Sequence, residues 1–588
     1  MSRVSVAERT RLSVFLARGL ARKLTSRVTT HPIVNWPFSF GKADRVVIAP
    51  QDLRTTDATR AAEIYAGRFV FAGKVVLCDS RSPFEITAPS EDWAVALLSF
   101  GWLRHLRAAQ SGITRANARA LVDEWIALNS AHDSIAWRPD VVARRVISWL
   151  SQAPLLLDDA DVQFYRRFLR SLTRQVRYLR HTVSQARDGV PRLQAAMALT
   201  YAALCMARQQ RYIRPATKRL SEELARQILP DGGHVSRNPG ALIELLVDLL
   251  PLRTAFTARN IAPPLPLLNA IDRMMPMLRF FRHGDGNFAL FNGMGPTPTD
   301  LLTTILAYDD ARGAPLANAP HSGYQRMESA GTLVLMDTGR APPMPVSQEA
   351  HAGCLSFELS AKQSRIVVNC GLPSTSREGW RQVARATAAH STVTFNDTSS
   401  CRFVDSGPLK RMLHGMPMIG GPRQVPVTRE DAPNGLLLRA SHDGYADIFD
   451  VVHQRELVLS SDGRRLDGED LFTPASGQAI PADRDQFAVR FHLHPSIKAN
   501  RVADGHSAVL LTPNKEAWTF NAYEDKVDLE ESVYLAGPDG PRRTLQLVIY
   551  GRARNTMRVQ WTFAPHAVQG TGPAGPRRGR DDEPQLPL

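Results

Sequence analysis

The hydrophobic periodicity changes once, near residue 315, and this change constrains the fold more than any other feature. Between residues 91 and 315 apolar residues recur at three-to-four spacing, which is typical of amphipathic helices. From residue 320 to 566 short runs of β-branched and aromatic residues alternate between Gly and Pro turns. At 588 residues the chain is too long for one core. We therefore predict a multidomain α+β protein, with a helical domain followed by an antiparallel β-sandwich.

The helical region divides into segments of about four turns with short joints, and such helices pack as antiparallel neighbours. No repeat of fixed period is visible, so an incomplete α/α toroid is favoured over a regular solenoid. The predicted helices are Trp93–Ala108, Ala116–Asn129, Val141–Ala153, Asp161–Arg180, Leu193–Arg208, Thr217–Leu229, Ala241–Thr257 and Leu265–Phe281.

Three further segments flank these domains. Residues 1–31 interleave Arg with apolar residues at helical spacing and predict a basic amphipathic helix, which either packs on its own protein or makes a peripheral contact with an anionic membrane. Residues 32–90 predict an irregular lead-in, and residues 567–588 predict a disordered tail. No secretory signal or membrane span is visible, which predicts a cytoplasmic location, with the periplasm or cell envelope as the alternative.

Charge and cysteine content narrow the classes of partner. The chain contains 72 Lys and Arg residues and 57 Asp and Glu residues. The resulting net charge of +15 favours anionic partners. No zinc finger and no RNP-like strand is present, so nucleic acid is not indicated, whereas an acidic polysaccharide fits. The five cysteines are scattered and odd in number, which favours reduced thiols over a disulfide framework. The sequence leaves the oligomeric state open.

Three polar residues fall at the ends of predicted strands between residues 349 and 400. His351 opens one strand, Asn369 closes its partner and His390 enters a third. Two imidazoles and one oxygen ligand suit a zinc ion with a position left for water. The alternative is that both histidines cap strands and hydrogen-bond to backbone groups.

The same stretch resembles a known family. The runs HAGCLSFELS, VVNCG and RATAAHSTVTFND are similar to the C-terminal β domain of heparinase II/III-like polysaccharide lyases. The resemblance implies an α/α toroid joined to the sandwich, and β-elimination on a uronate-containing glycan in the cleft between them. In metal-containing members the positions of His351, Asn369 and His390 bind zinc. Here the neutral Asn369 stands where those members carry an acidic residue.

Two toroid motifs depart from the family pattern. An Asn-His pair that binds the substrate carboxylate is replaced by Pro191-Arg192, and a Tyr that serves as acid or base is replaced by Ala241. Arg192 is the candidate for neutralising a carboxylate, or else a solvated helix start. His234 is the candidate acid or base, or else a loop histidine facing water.

Further candidates lie in the sandwich. Glu349 is a possible base, or else a surface residue, and the family motif adds His390 and Arg385 to the catalytic set. Two hypotheses follow. The first is a lyase that acts on an anionic uronate-containing glycan, and the second is a non-catalytic glycan-binding or envelope-assembly protein on the same scaffold.

Overall fold

The helices of the computed structural model occupy the N-terminal half of the chain. The structure describes residues 45–128, 135–309, 313–373, 378–404, 416–433 and 435–566, with a few residues between 10 and 21. Most of the predicted helix over 1–31 and all of the tail over 567–588 lie outside these ranges. The helices are α1 Ala58–Tyr65, α2 Glu91–Leu98, α3 Leu103–Ala108, α4 Gly112–Leu128, α5 Pro139–Ser151, α6 Ala153–Leu157, α7 Val162–Thr182, α8 Val190–Cys205, α9 Ile213–Gln227, α10 Gly240–Ala258, α11 Leu265–Phe280, α12 Thr299–Leu306, α13 Glu378–Arg385 and α14 Ala446–Phe449.

The predicted helix over 93–108 is two helices in the structure. Phe100 adopts a left-handed conformation, with φ of 55°, between α2 and α3. Its ring is fully buried and packs edge-on against Trp125 and Trp149. Burial of a large aromatic side chain contributes several times the free energy that one left-handed residue costs, so packing overrides the helical periodicity here.

Two large antiparallel sheets dominate the C-terminal half. The strands of the chain are β1 Arg68–Phe71, β2 Lys74–Leu77, β3 Asn318–Ala319, β4 Tyr324–Ser329, β5 Thr332–Asp337, β6 Phe357–Ala361, β7 Ser364–Val368, β8 Val393–Phe395, β9 Arg402–Phe403, β10 Met418–Gly420, β11 Val427–Ala432, β12 Gly435–Tyr445, β13 Val451–Ser460, β14 Leu466–Pro474, β15 Gln486–Leu493, β16 Lys498–Arg501, β17 Ser507–Leu511, β18 Ala517–Asn521, β19 Asp528–Tyr534, β20 Arg542–Arg552 and β21 Arg558–Pro565. Among the described residues, the first large sheet has the order β11-β12-β13-β14-β21-β18-β17-β16 and the second has β19-β20-β15-β7-β6-β5-β4-β3, with β8 paired to β15, while β9 and β10 form a small sheet of their own.

The central strands of the second sheet are covered on both faces. Every residue of β5, β6 and β7 is buried. In β5, Leu333 and Leu335 belong to the core of the helical domain, whereas Val334 and Met336 belong to the core of the sandwich. Alternate side chains of one strand thus pack on opposite layers. The structure confirms the predicted fold class, a toroid of helices followed by an antiparallel sandwich.

A buried polar link joins the two domains beside this sheet. Glu358 of β6 is fully buried, and one carboxylate oxygen lies 2.9 Å from Nε2 of His283, which follows α11. Its other oxygen accepts hydrogen bonds from the backbone N–H groups of Leu290 and Asn369, at 2.9 and 3.0 Å. Because both oxygens of this buried carboxylate have partners, and the partners belong to both domains, the link holds the two domains in one relative orientation.

Within the described ranges, helices long and apolar enough to cross a bilayer are absent.

Candidate functional site

A cleft of about 540 Å³ lies where the helical domain meets the sandwich. Its helical wall comes from residues 187–191, at the start of α8, and from residues 234–247, in α10 and the loop before it. Residues 292–301 form the floor, and residues 346–350 of the sandwich form the opposite wall. This is the place where the sequence predicted an active site between the two domains.

Two cleft loops approach each other closely at Gly293. This residue has φ of +93°, and a Cβ atom there would lie 2.9 Å from the carbonyl oxygen of Glu349. Only glycine satisfies both constraints. The neighbouring Asn292 is buried, and its amide donates to the Tyr324 hydroxyl and to Asp337, at 2.8 and 2.9 Å. Sequence reasoning missed Asn292, although its position in the Gly-rich run HGDGNFALFNG was a usable signal.

His351 and His390 lie together behind the sandwich wall of the cleft. Nδ1 of His390 lies 2.8 Å from the carbonyl oxygen of Ala386, which only accepts, so this nitrogen carries the proton. Nε2 of His390 then accepts from Nδ1 of His351 at 3.0 Å. Nε2 of His351 is left as a buried lone pair without a hydrogen-bond partner among the described residues. Burial lowers the pKa of His390 to about 4, and burial together with the neighbouring His390 holds the pKa of His351 well below its usual range.

Asn369 is close in the fold but faces other partners. Its Oδ1 accepts from the backbone N–H of Ser391 at 3.0 Å, and its amide donates to Glu358 at 3.3 Å. Of the three predicted zinc-ligand residues, His351 is the one whose side chain has a buried atom, Nε2, without any hydrogen-bond partner among the described residues. No group of three or more His, Cys, Asp or Glu side chains suited to a metal occurs in the described part of the chain. As arranged, this donor set does not fit a resident ion, and the zinc site stays a prediction.

Arg385 positions the sandwich wall. Its guanidinium donates to the carbonyl oxygens of Ala350, Met416 and Ser347 at 2.8, 2.7 and 3.0 Å. It is buried and lies 4.3 Å from the centre of the Phe403 ring. With its donors directed at backbone groups, Arg385 orders the loop that carries Glu349 into the cleft, and it is a positioning residue.

The two toroid candidates differ in access to the cleft. The guanidinium of Arg192 contacts its own loop: it donates to Ala186 O at 2.9 Å and pairs with Asp188 at 2.5 Å. Arg192 is not among the described residues that line the cleft. His234 does line it. Its ring nitrogens contact Ser236 Oγ at 2.7 Å and Gln227 Oε1 at 3.1 Å, and burial lowers its pKa to about 4.

More carboxylates than arginines line the cleft. Glu349 and Glu244 are exposed to the cleft, and Gln194 donates to Glu244 at 2.8 Å. Partial removal from water by the surrounding protein, and then the negative charge of Glu349, raise the pKa of Glu244. Arg54, one of the two arginines that line the cleft, donates to both oxygens of Asp248 at 2.8 and 2.9 Å. Sequence reasoning missed Glu244, although two acids four residues apart in the apolar run GALIELLVDLL, Glu244 and Asp248, were a visible signal.

No described phenol reaches the position that the family's acid would occupy. Ala241 stands there and is buried in the cleft wall. Tyr324 is buried beneath the cleft, and its hydroxyl donates to the carbonyl oxygen of Arg237 at 2.5 Å while accepting from Asn292. Both hydroxyl functions are therefore in use, and burial raises the pKa of Tyr324.

A toroid, a sandwich and a polar cleft between them define the class of protein. A family model described as heparinase II/III-like, C-terminal, matches residues 311–562. The chain belongs to the heparinase II/III-like family.

The chain is also similar to particular proteins across most of its length. It is 31% identical to FtsZ-localized protein C of Caulobacter vibrioides over 520 residues, covering 87% of this chain and 89% of that protein. The crystal structure of heparinase III superimposes with a TM-score of 0.69 at 12% identity, covering 96% of this chain and 92% of that one. A mutant of heparan sulfate lyase HepC from Pedobacter heparinus gives 0.60 at 14% identity, covering 95% and 88%. At these identities the solved structures show a shared fold alone.

Proposed function

We propose that the chain binds a glycan in the cleft between toroid and sandwich and does not carry out β-elimination with the lyase residue set. The observation that carries the proposal is the composition of the cleft. It is large enough for sugar rings and offers the amides Asn238 and Gln348, while Ala241 replaces the phenol and Arg192 does not line it. Glycan hydroxyls suit such amide groups, whereas abstraction of a proton needs a positioned base and acid.

Filling the cleft tests this proposal. Glu349 is exposed in the sandwich wall, so Glu349→Trp places a bulky side chain there without disturbing the core. Glu524 is equally exposed and lies outside the cleft, which makes Glu524→Trp the matched control. We expect Glu349→Trp to weaken binding to an oligosaccharide panel at least tenfold by calorimetry, roughly the loss of 1.4 kcal/mol. Equal affinity in the two variants would place the glycan elsewhere.

A second candidate function is β-elimination on an anionic uronate-containing polysaccharide. The observation in its favour is that His234, the candidate acid or base, lines the cleft. Incubation with uronate polysaccharides, followed by the ultraviolet absorbance of the unsaturated product, tests it directly. A signal that disappears in His234→Ala and in His390→Ala supports a lyase, and binding without any such signal supports the first proposal.

The similarity to an FtsZ-localized protein suggests where such binding takes place. We infer that this chain is also localised with FtsZ, because the relative is similar over nearly the whole of both proteins. A fluorescent fusion of the full chain, imaged together with labelled FtsZ, should give coincident signals. A fusion spread evenly through the cell would contradict the inference.

A further inference from the structure

A second pocket of about 330 Å³ lies beside the cleft and has the opposite charge. Gly295 and Pro296 line both cavities, so a single loop separates them. The charged residues that line the cleft are two arginines and three carboxylates, namely Arg54, Arg187, Asp188, Glu244 and Glu349. Those that line the second pocket are Arg365 and Arg542, and no carboxylate lines it among the described residues.

Arg365 forms the base of this pocket. It is 7% exposed, and its Nε lies 2.9 Å from Asp285, which is outside the lining. Nη2 donates to Nε2 of His494 at 3.2 Å, which fixes the plane of the guanidinium. Nη1 is buried and lacks a well-aligned hydrogen-bond partner in the described ranges, while the Tyr534 hydroxyl interacts with the same guanidinium. A buried guanidinium with one unsatisfied group retains donor capacity for a further acceptor.

Arg542 and Tyr534 form the side of the pocket. They are directly opposite each other in the antiparallel pairing of β20 with β19, so both side chains stand on the same face. The side chain of Arg542 is half exposed. Its described partner is the carboxylate of Asp539, which lies 3.1 Å from Nη2 and is itself exposed to water. A surface pair of this kind is weak and exchanges readily for another anion.

We propose that this pocket binds an oxyanion substituent, a carboxylate or a sulfate or phosphate ester, carried by the glycan that occupies the cleft. Guanidinium groups bind such oxyanions through paired hydrogen bonds, and the Tyr534 hydroxyl supplies a further donor. The acidic cleft then holds uncharged rings while the charged group lies across the loop at residues 295–296. The proposal rests on glycan binding in the cleft, and the experiment below separates the two.

The matched pair of variants is Arg542→Gln and Arg543→Gln. Both residues are exposed and adjacent in β20, and each change removes one positive charge. Successive side chains of a strand point to opposite faces, and Arg543 does not line the pocket. The probes are a uronate-containing oligosaccharide and its carboxyl-reduced form, with affinity measured by calorimetry. We expect the wild type to prefer the charged form about tenfold, Arg542→Gln to lose that preference, and Arg543→Gln to keep it.

Inorganic sulfate, titrated against chloride at constant ionic strength, tests the pocket without any glycan. The thermal midpoint should rise with sulfate in the wild type and in Arg543→Gln, but not in Arg542→Gln. Equal losses in both variants would overturn the proposal, because they would show a general charge effect. If neither oligosaccharide binds while sulfate retains its specific effect, glycan binding in the cleft is refuted, and with it the glycan as source of the oxyanion.

Discussion

Mild acid should destabilise this protein through its buried neutral histidines. His234, His390 and His492 are buried, and burial lowers their pKa values to about 4, about 4 and about 3. In the unfolded chain each titrates near 6.5. The unfolded state therefore binds more protons below that value, and stability present above it is lost as the pH falls. Between about pH 7.5 and 5.5 the loss is about 1.3 kcal/mol per histidine, or about 4 kcal/mol for the three.

Other ionisable groups also contribute to the predicted loss of stability, and the sign of each contribution follows from the direction of its pKa shift. Burial also lowers the pKa values of His105, His351, His442 and His453, so these histidines act with the same sign. Glu244 acts oppositely, because its pKa is raised and its folded form takes up a proton more readily. One opposing group does not cancel several histidines.

Urea unfolding at the two pH values, followed by tryptophan fluorescence, measures the effect. His234→Gln removes one titrating group and should reduce the pH-dependent loss by about 1.3 kcal/mol. His181→Gln is the control, since His181 is exposed in the last turn of α7. A free energy of unfolding that changes by less than about 1 kcal/mol between the two pH values, or identical behaviour of the two variants, would refute the reasoning.

Three further predictions test the structure around the site. Arg385→Lys keeps the charge but loses the forked donors to three carbonyl oxygens, so we expect a loss of about 2–4 kcal/mol in urea unfolding and weaker glycan binding. Asp470→Asn should cost about 3–5 kcal/mol, because it leaves the fully buried Arg455 without its carboxylate, and unchanged stability would contradict this. Purified protein should contain far less than one zinc ion per chain by mass spectrometry. One zinc ion per chain in the wild type, lost in His351→Ala and in His390→Ala, would support the predicted metal site.

The order of domains was predictable because it depends on local periodicity. The helical spacing of apolar residues before residue 315, and their alternation after it, reflect which faces of helices and strands must be buried. The structure has helices and strands in these two regions as predicted. The proximity of His351 and His390 was also predictable, from the resemblance of the surrounding motif. Phe100 was not, because its conformation is decided by rings more than twenty residues away in sequence.

The chemistry of the site was less predictable, since it depends on partners that are distant in sequence. Asn369 stays a predicted metal ligand, and in the structure its oxygen accepts a hydrogen bond from the backbone N–H of Ser391. This contact forms only when the end of β7 meets the loop that precedes β8. Arg192 was predicted either to neutralise a substrate carboxylate or to be a solvated helix start, and its guanidinium donates to Ala186 O and pairs with Asp188 in its own loop. Motif spacing places a residue near a site, and hydrogen-bond competition decides whether its functional atoms remain available.

The buried link at Glu358 limits how a ligand can enter. Opening the cleft by rotation of the sandwich away from the helices would separate this carboxylate from His283 and from Leu290 N. Breaking a buried pair of this kind costs about 3–5 kcal/mol, so about one molecule in a thousand would be open in this way at any moment. Ligand entry must therefore depend on small movements of the rim loops. The protein should recognise short or flexible chain ends in a preformed slot, with little change in its own radius of gyration when they bind.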